Sequence, residues 1–194
     1  MKKNFLLIAI FFSATLAKAQ FVKGDVGASI FIGAGKIKLT NGETENLSAS
    51  FYGASWYPRY IVSPNISVGV PLTLGISGSF NSRTGATGSF GLDLPIAVDY
   101  NFGYGASGED EDSDAGFGGF AGGGFSITKS ASSEQNPLFG TETTSASSYG
   151  PMAHAGVRFP IQGGTKTIRL MLSAKLGLDK LKYNFFGGTL LYRL

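Results

Sequence analysis

The stretch ISVGVPLTLGIS, residues Ile66 to Ser77, alternates without a break. Ile66, Val68, Val70, Leu72, Leu74 and Ile76 share one parity, and Ser67, Gly69, Pro71, Thr73, Gly75 and Ser77 the other. A period of two predicts a β-strand with one apolar and one small or polar face. The pattern recurs along the chain. Val26, Ala28, Ile30, Ile32 and Ala34 mark a first strand, and Tyr52, Ala54, Trp56, Tyr60 and Val62 a second. The cleanest runs through Phe90, Leu92, Leu94, Ile96, Val98, Tyr100 and Phe102. Glycine-rich 117–128, then 149–159, 166–178 and the C-terminal KYNFFGGTLLYRL complete eight strands of about ten residues each. No helical period competes after residue 20.

Alternation does not say which face looks inward. On the polar parity lie Arg59, Asp93, Asp99, His154, Arg158, Arg169 and Lys175. A soluble sandwich would turn these to water, whereas a membrane barrel would enclose them and show its apolar face to lipid. Three features favour the barrel. The polar parity is crowded with Gly, Ala and Ser, which suits a narrow interior. Tyr52, Trp56, Tyr60, Tyr100, Tyr149 and Tyr192 gather toward strand ends on the apolar parity, as interfacial girdles do. The chain also stops inside its last strand, with Leu190, Tyr192 and Leu194 on one parity. The expected fold is all-β, an eight-stranded antiparallel up-and-down transmembrane β-barrel.

Composition and the N-terminus place this barrel. Lys2 and Lys3, the apolar run Phe5 to Phe12 and Ala17-Lys18-Ala19 read as an export signal over residues 1–19, removed to leave a barrel domain over 20–194. The chain has 29 glycines, 16 phenylalanines and 15% charged residues, against roughly 25% charged in ordinary soluble domains. It has no cysteine, so neither a lipoprotein anchor nor a disulfide framework is open to it. After the signal no apolar run reaches helix-spanning length. The net charge of +3 is small and no basic patch with interleaved aromatics occurs, so nucleic acid is not an expected partner. No cofactor is implied.

The export signal, the amphipathic strands and the terminal Tyr192-Arg193-Leu194 resemble the small outer-membrane β-barrel proteins of Gram-negative bacteria. Gln20 after the signal, the Gly/Phe-rich strands and the YRL ending most resemble those of Bacteroidota. The resemblance implies an outer-membrane location, contact with outer-membrane lipid, and delivery by the barrel-assembly machinery. Leu190, Tyr192 and Leu194 then carry the assembly signal, with Leu194 where the family typically ends on Phe. It also implies both termini in the periplasm. Residues 63–65 and 161–165 become short periplasmic turns, and 36–48, 79–88, 129–148 and 178–181 become external loops, the third polar and mobile.

Candidate chemistry is sparse. An eight-stranded barrel is filled by its own side chains, so Arg59, Asp93, Asp99, His154, Arg158, Arg169 and Lys175 are expected to form a structural ion network. The acids Glu109, Asp110, Glu111, Asp112 and Asp114 crowd a segment where a tight turn is expected. Their weak alternatives to a solvated loop are a divalent-cation site or a periplasmic partner. The lone His154 lacks a serine-nucleophile motif, so a lipid-A-modifying enzyme is disfavoured. The expected role is a structural, binding or envelope-complex barrel, with an envelope protein as a possible partner and a small porin as the alternative.

Overall fold

A computed structural model describes residues 22–38, 44–81, 85–106, 116–136, 140–161, 166–178 and 184–193. The predicted export signal, the acids 109–114 and Leu194 lie outside the described residues. The described chain forms β1 (Val22–Lys38), β2 (Thr44–Ser63), β3 (Ile66–Gly69), β4 (Leu72–Asn81), β5 (Gly85–Gly103), β6 (Gly118–Asn136), β7 (Gly140–Ile161), β8 (Lys166–Lys175) and β9 (Asn184–Arg193). Every pairing is antiparallel, and β9 pairs back onto β1, so the sheet closes on itself.

Nine segments make eight staves, because the strand expected over Ile66–Ser77 is interrupted. β3 and β4 together bridge β2 and β5. Gly69 pairs with Ala97 and Thr73 with Asp93, so the register carries across the gap and sets Pro71 opposite Pro95. Neither proline has an N–H to give the ladder, and the chain tightens there through Leu72 N donating to Val70 O at 2.8 Å.

The stagger of the ring can be followed residue by residue. Val22 pairs with Tyr60, Tyr60 with Val68, Val68 with Val98 and Val98 with Gly123. Gly123 pairs with Ala153, Ala153 with Ala174, Ala174 with Phe186, and Phe186 with Ile32. One circuit therefore returns to β1 ten residues along. A climb of about 33 Å over a sheet width of about 38 Å inclines the strands by roughly 40°. That geometry leaves an interior just wide enough for side chains.

The two faces sort as a barrel requires. On β5, Phe90, Leu94, Ile96, Val98, Tyr100 and Phe102 are exposed and Leu92 is half-buried, and Ile30, Ile32, Tyr52, Trp56, Leu74, Ile76, Leu170, Leu172 and Leu190 are exposed elsewhere. Arginines, acids and hydroxyls are buried inside. From Phe90 to Phe102 the chain runs about 40 Å along the strand, or about 30 Å of height at that inclination.

The segments expected as external loops over 36–48, 79–88 and 129–148 are largely strand. β1 and β2 pair out to Lys38–Thr44, β4 and β5 to Asn81–Gly85, and β6 and β7 to Asn136–Gly140. Polar Ser/Thr-rich sequence carries no apolar alternation to mark a strand, yet a strand pair needs only its backbone ladder and β-tolerant residues. Beyond Lys129 and Ser147, the β6–β7 hairpin continues about 23 Å along the strands at ~3.3 Å per residue, or about 18 Å of height at the same inclination. Of the fourth expected loop, Leu178 is described, outside any strand, and 179–181 lie outside the described residues. At the end carrying the termini, Pro64 and Asn65 form the tight turn expected between β2 and β3.

Candidate functional site in the barrel interior

The parity of each strand decides what enters the lumen. All seven charged or histidine residues picked out on the polar parity are buried: Arg59, Asp93, Asp99, His154, Arg158, Arg169 and Lys175. Asp25 and Arg193 join them. Both were legible, since Asp25 shares parity with Ser29 and Arg193 is out of phase with Leu190 and Tyr192. They sat at strand ends, where alternation gives least support. Tyr57, Phe31, Phe51 and Phe120 also point inward, against the simple expectation of a small, polar interior.

Three carboxylates organise the charges. Asp93 of β5 pairs with Lys175 of β8, and its Oδ1 accepts hydrogen bonds from Ser126 Oγ at 2.6 Å and Thr128 Oγ1 at 2.8 Å. Asp99, also on β5, accepts from the Tyr57 hydroxyl and lies 2.6 Å from His154 Nε2. Asp25 of β1 faces three guanidinium groups, Arg59 at 3.3 Å, Arg169 at 3.4 Å and Arg193 at 3.4 Å. Arg158 of β7 instead uses neutral acceptors, the carbonyls of Gly105 and Gly119 and Asn101 Oδ1. The partner acid expected for Arg158 is replaced by these dipoles, because the β5–β6 turn carries Gly105 over it. Gly105 holds φ +67°, in the left-handed region that suits glycine.

Between the charges runs a column of alternating cations and rings. Arg158 lies over Phe120, Phe120 against Arg169, Arg169 against Tyr57, and Tyr57 against Arg59, with centroid distances of 5.5, 4.1, 5.0 and 5.8 Å. Ring faces offer negative electrostatic potential to guanidinium planes at low desolvation penalty. This explains why aromatic residues share the interior with arginine. Their bulk is admitted by glycine. A Cβ added at Gly156, paired with Phe120, would lie 2.5 Å from the Phe120 ring, and one at Gly187 would collide with Phe31. A Cβ at Gly122 would strike Asp99 and come within 2.9 Å of His154 Nε2. The inward glycines thus leave the space that large side chains fill.

A chain of hydroxyls girdles another part of the wall. Thr189 bonds Ser29 at 2.7 Å, Ser29 bonds Ser55 at 2.5 Å, and Ser55 bonds Thr73 at 2.9 Å, which links β9, β1, β2 and β4. Arg59, Arg158, Arg169, Tyr57 and Phe120 are among the largest side chains with essentially no exposure, so the lumen is filled by them. Among the described residues no group of three or more His, Cys, Asp or Glu is arranged to hold a metal. His154 touches an acid and two rings, Tyr57 and Phe120, and no serine hydroxyl is bonded to it in this arrangement.

The architecture is that of an eight-stranded antiparallel up-and-down β-barrel. Its closed ring is similar to the crystal structure of neisserial surface protein A, with a TM-score of 0.52 and 13% identity over 87% of this chain and 96% of that one. Lower-scoring similarities include the attachment invasion locus protein of Yersinia pestis, at 0.49 and 12% over 88% and 97%, and the N-terminal β-barrel domain of Pseudomonas aeruginosa OprF, at 0.44 and 13% over 88% and 99%. No protein-family model matches the sequence, and no curated protein matches it.

Proposed function

We propose that the protein is an integral outer-membrane β-barrel with a side-chain-filled interior, serving a structural, binding or envelope-complex role. One observation carries this reading: a closed ring exposes its apolar parity all round and buries its charges. In water that inversion would leave a very large apolar surface uncovered, whereas in a bilayer the same belt is solvated by lipid. Its height of about 30 Å suits a bilayer core. Tyr52, Trp56, Tyr60, Tyr100 and Tyr149 on the outer surface add the amphipathic rings that favour the headgroup level.

The interior supports a plug more than a pore, and a scaffold more than an enzyme. Arginine–aromatic stacking occupies the lumen, and His154 is held by Asp99, with no serine hydroxyl bonded to it among the described residues. The polar sheet extension of β6 and β7 gives a binding role a physical surface, since it rises past the apolar belt. Outer-membrane lipid and the barrel-assembly machinery are the partners this reading requires, and an envelope protein is a further candidate. The test is fractionation of the native host envelope followed by an alkaline carbonate wash. Retention in the outer-membrane pellet is expected, and release into the wash would refute membrane integration.

A further inference from the structure

The buried pair Arg59 and Arg169 is not electrically balanced. Arg59, Arg158, Arg169, Arg193 and Lys175 are buried with Asp25, Asp93 and Asp99. Lys175 is matched by Asp93, and Asp99 is engaged by the Tyr57 hydroxyl and His154. Arg59 and Arg169 share the one carboxylate of Asp25, so even with all of its charge credited to them an excess of one positive charge persists. Buried charge without compensation is strongly unfavourable.

The geometry around Asp25 is correspondingly loose. Its contacts to Arg59, Arg169 and Arg193 are 3.3, 3.4 and 3.4 Å, longer than the roughly 2.7–2.9 Å of charge-assisted hydrogen bonds. Arg59 and Arg169 are both about 1% exposed, and none of their guanidinium nitrogens has a hydrogen-bond partner. The rings of Tyr57 and Phe120 lie over the guanidinium groups and do not satisfy N–H donors at their edges. Arg59 Nη2 and Arg169 Nη1 approach the same oxygen, Asp25 Oδ2, so their donor edges converge on one locus.

We infer that Arg59 and Arg169 together bind a small inorganic anion of halide size inside the barrel. The anion receives N–H donors from both guanidinium groups, offsets the excess charge and shares the locus with Asp25. Asp25 opposes it electrostatically, which gives the site a distinctive sign: removing that carboxylate should tighten anion binding. This inference rests on the interior alone and stands whichever envelope role the barrel serves.

The test uses the full mature chain folded in detergent, with bromide as the probe and gluconate, too large for the site, as the exchanged counter-anion at constant ionic strength. Thermal unfolding is followed by near-ultraviolet circular dichroism. The midpoint should rise by a few degrees as bromide replaces gluconate, because a ligand bound to the folded state alone stabilises it. Asp25→Asn should respond more strongly than the unsubstituted protein, and Arg169→Gln should lose the response. An unchanged midpoint on exchange, or the same rise in Arg169→Gln, would overturn the inference. Should Arg169→Gln fail to fold, the Asp25→Asn comparison decides, and an equal or weaker response there counts against the site.

Discussion

The Arg169 guanidinium lies 4.1 Å from the centre of the Phe120 ring, the closest of the cation–ring contacts in the lumen. Tyr57 lies on another side of the same guanidinium at 5.0 Å. Arg169 comes from β8, Phe120 from β6 and Tyr57 from β2, so the stack crosses the barrel and braces walls far apart in sequence. Phe120→Ala should therefore lower stability by about 3–5 kcal/mol, the range for removing a large buried aromatic side chain. Heat-dependent mobility on SDS gels measures it, and a midpoint unchanged from the parent would mean the column bears no load.

Leu94 and Asp93 are neighbours on β5 with opposite surroundings. Leu94 is exposed on the apolar belt, and Asp93 is buried with Lys175. Leu94→Arg should block membrane assembly, since a charge at mid-bilayer on a barrel exterior costs about 2–4 kcal/mol. Asp93→Asn should still reach the membrane but unfold at lower temperature, because removing one partner of a buried pair costs about 3–5 kcal/mol. Outer-membrane levels and melting of the extracted proteins separate the two effects. The opposite assignment would argue for a water-soluble sandwich.

Closure depends on the last residues of β9. Tyr192 pairs with Val26 on one side and Ile168 on the other, and Arg193 pairs with Asp25. Deleting residues 192–194 shortens the strand that seals the ring and leaves unpaired backbone where lipid offers no hydrogen bonds. Assembly should fail, while Arg193→Gln, which keeps the backbone ladder, should assemble. Immunodetection in outer-membrane fractions distinguishes them, and normal levels of the truncated chain would refute the claim.

The filled lumen predicts electrical silence. Purified protein in planar bilayers should show no steady, defined conductance, since arginine and aromatic side chains occupy the space a channel would need. A reproducible open level would favour the small-porin alternative. Arg158→Ala should leave the bilayer silent, because Phe120, Arg169 and Tyr57 still fill the column.

His154 offers a check on catalysis. It is buried against Asp99 and the rings of Tyr57 and Phe120. Overproduction in a Gram-negative host should leave the mass of lipid A unchanged, and a mass shift abolished by His154→Gln would overturn the non-enzymatic reading. Tyr57→Phe should instead destabilise the fold by about 1–3 kcal/mol, as buried Asp99 loses a donor.

Period-two alternation, seen in Ile66 through Ser77 and in Phe90 through Phe102 and repeated along the chain, specifies eight staves and the residues on each face. Period-two patterning is local, and a side chain's face follows from its parity alone. The same parity placed Arg59, Asp93, Asp99, His154, Arg158, Arg169 and Lys175 together on the inner wall. It could not say that Arg158 would turn to the carbonyls of Gly105 and Gly119, or that Asp25 would gather Arg59, Arg169 and Arg193. Those partners lie on different strands, and which of them meet depends on the ten-residue stagger of the closed ring. Closure also decided that Pro71 faces Pro95, dividing one expected strand in two. The polar hairpin arms are illegible in the sequence for a related reason: their strand order comes from pairing with a neighbour, and no apolar alternation writes it into the chain.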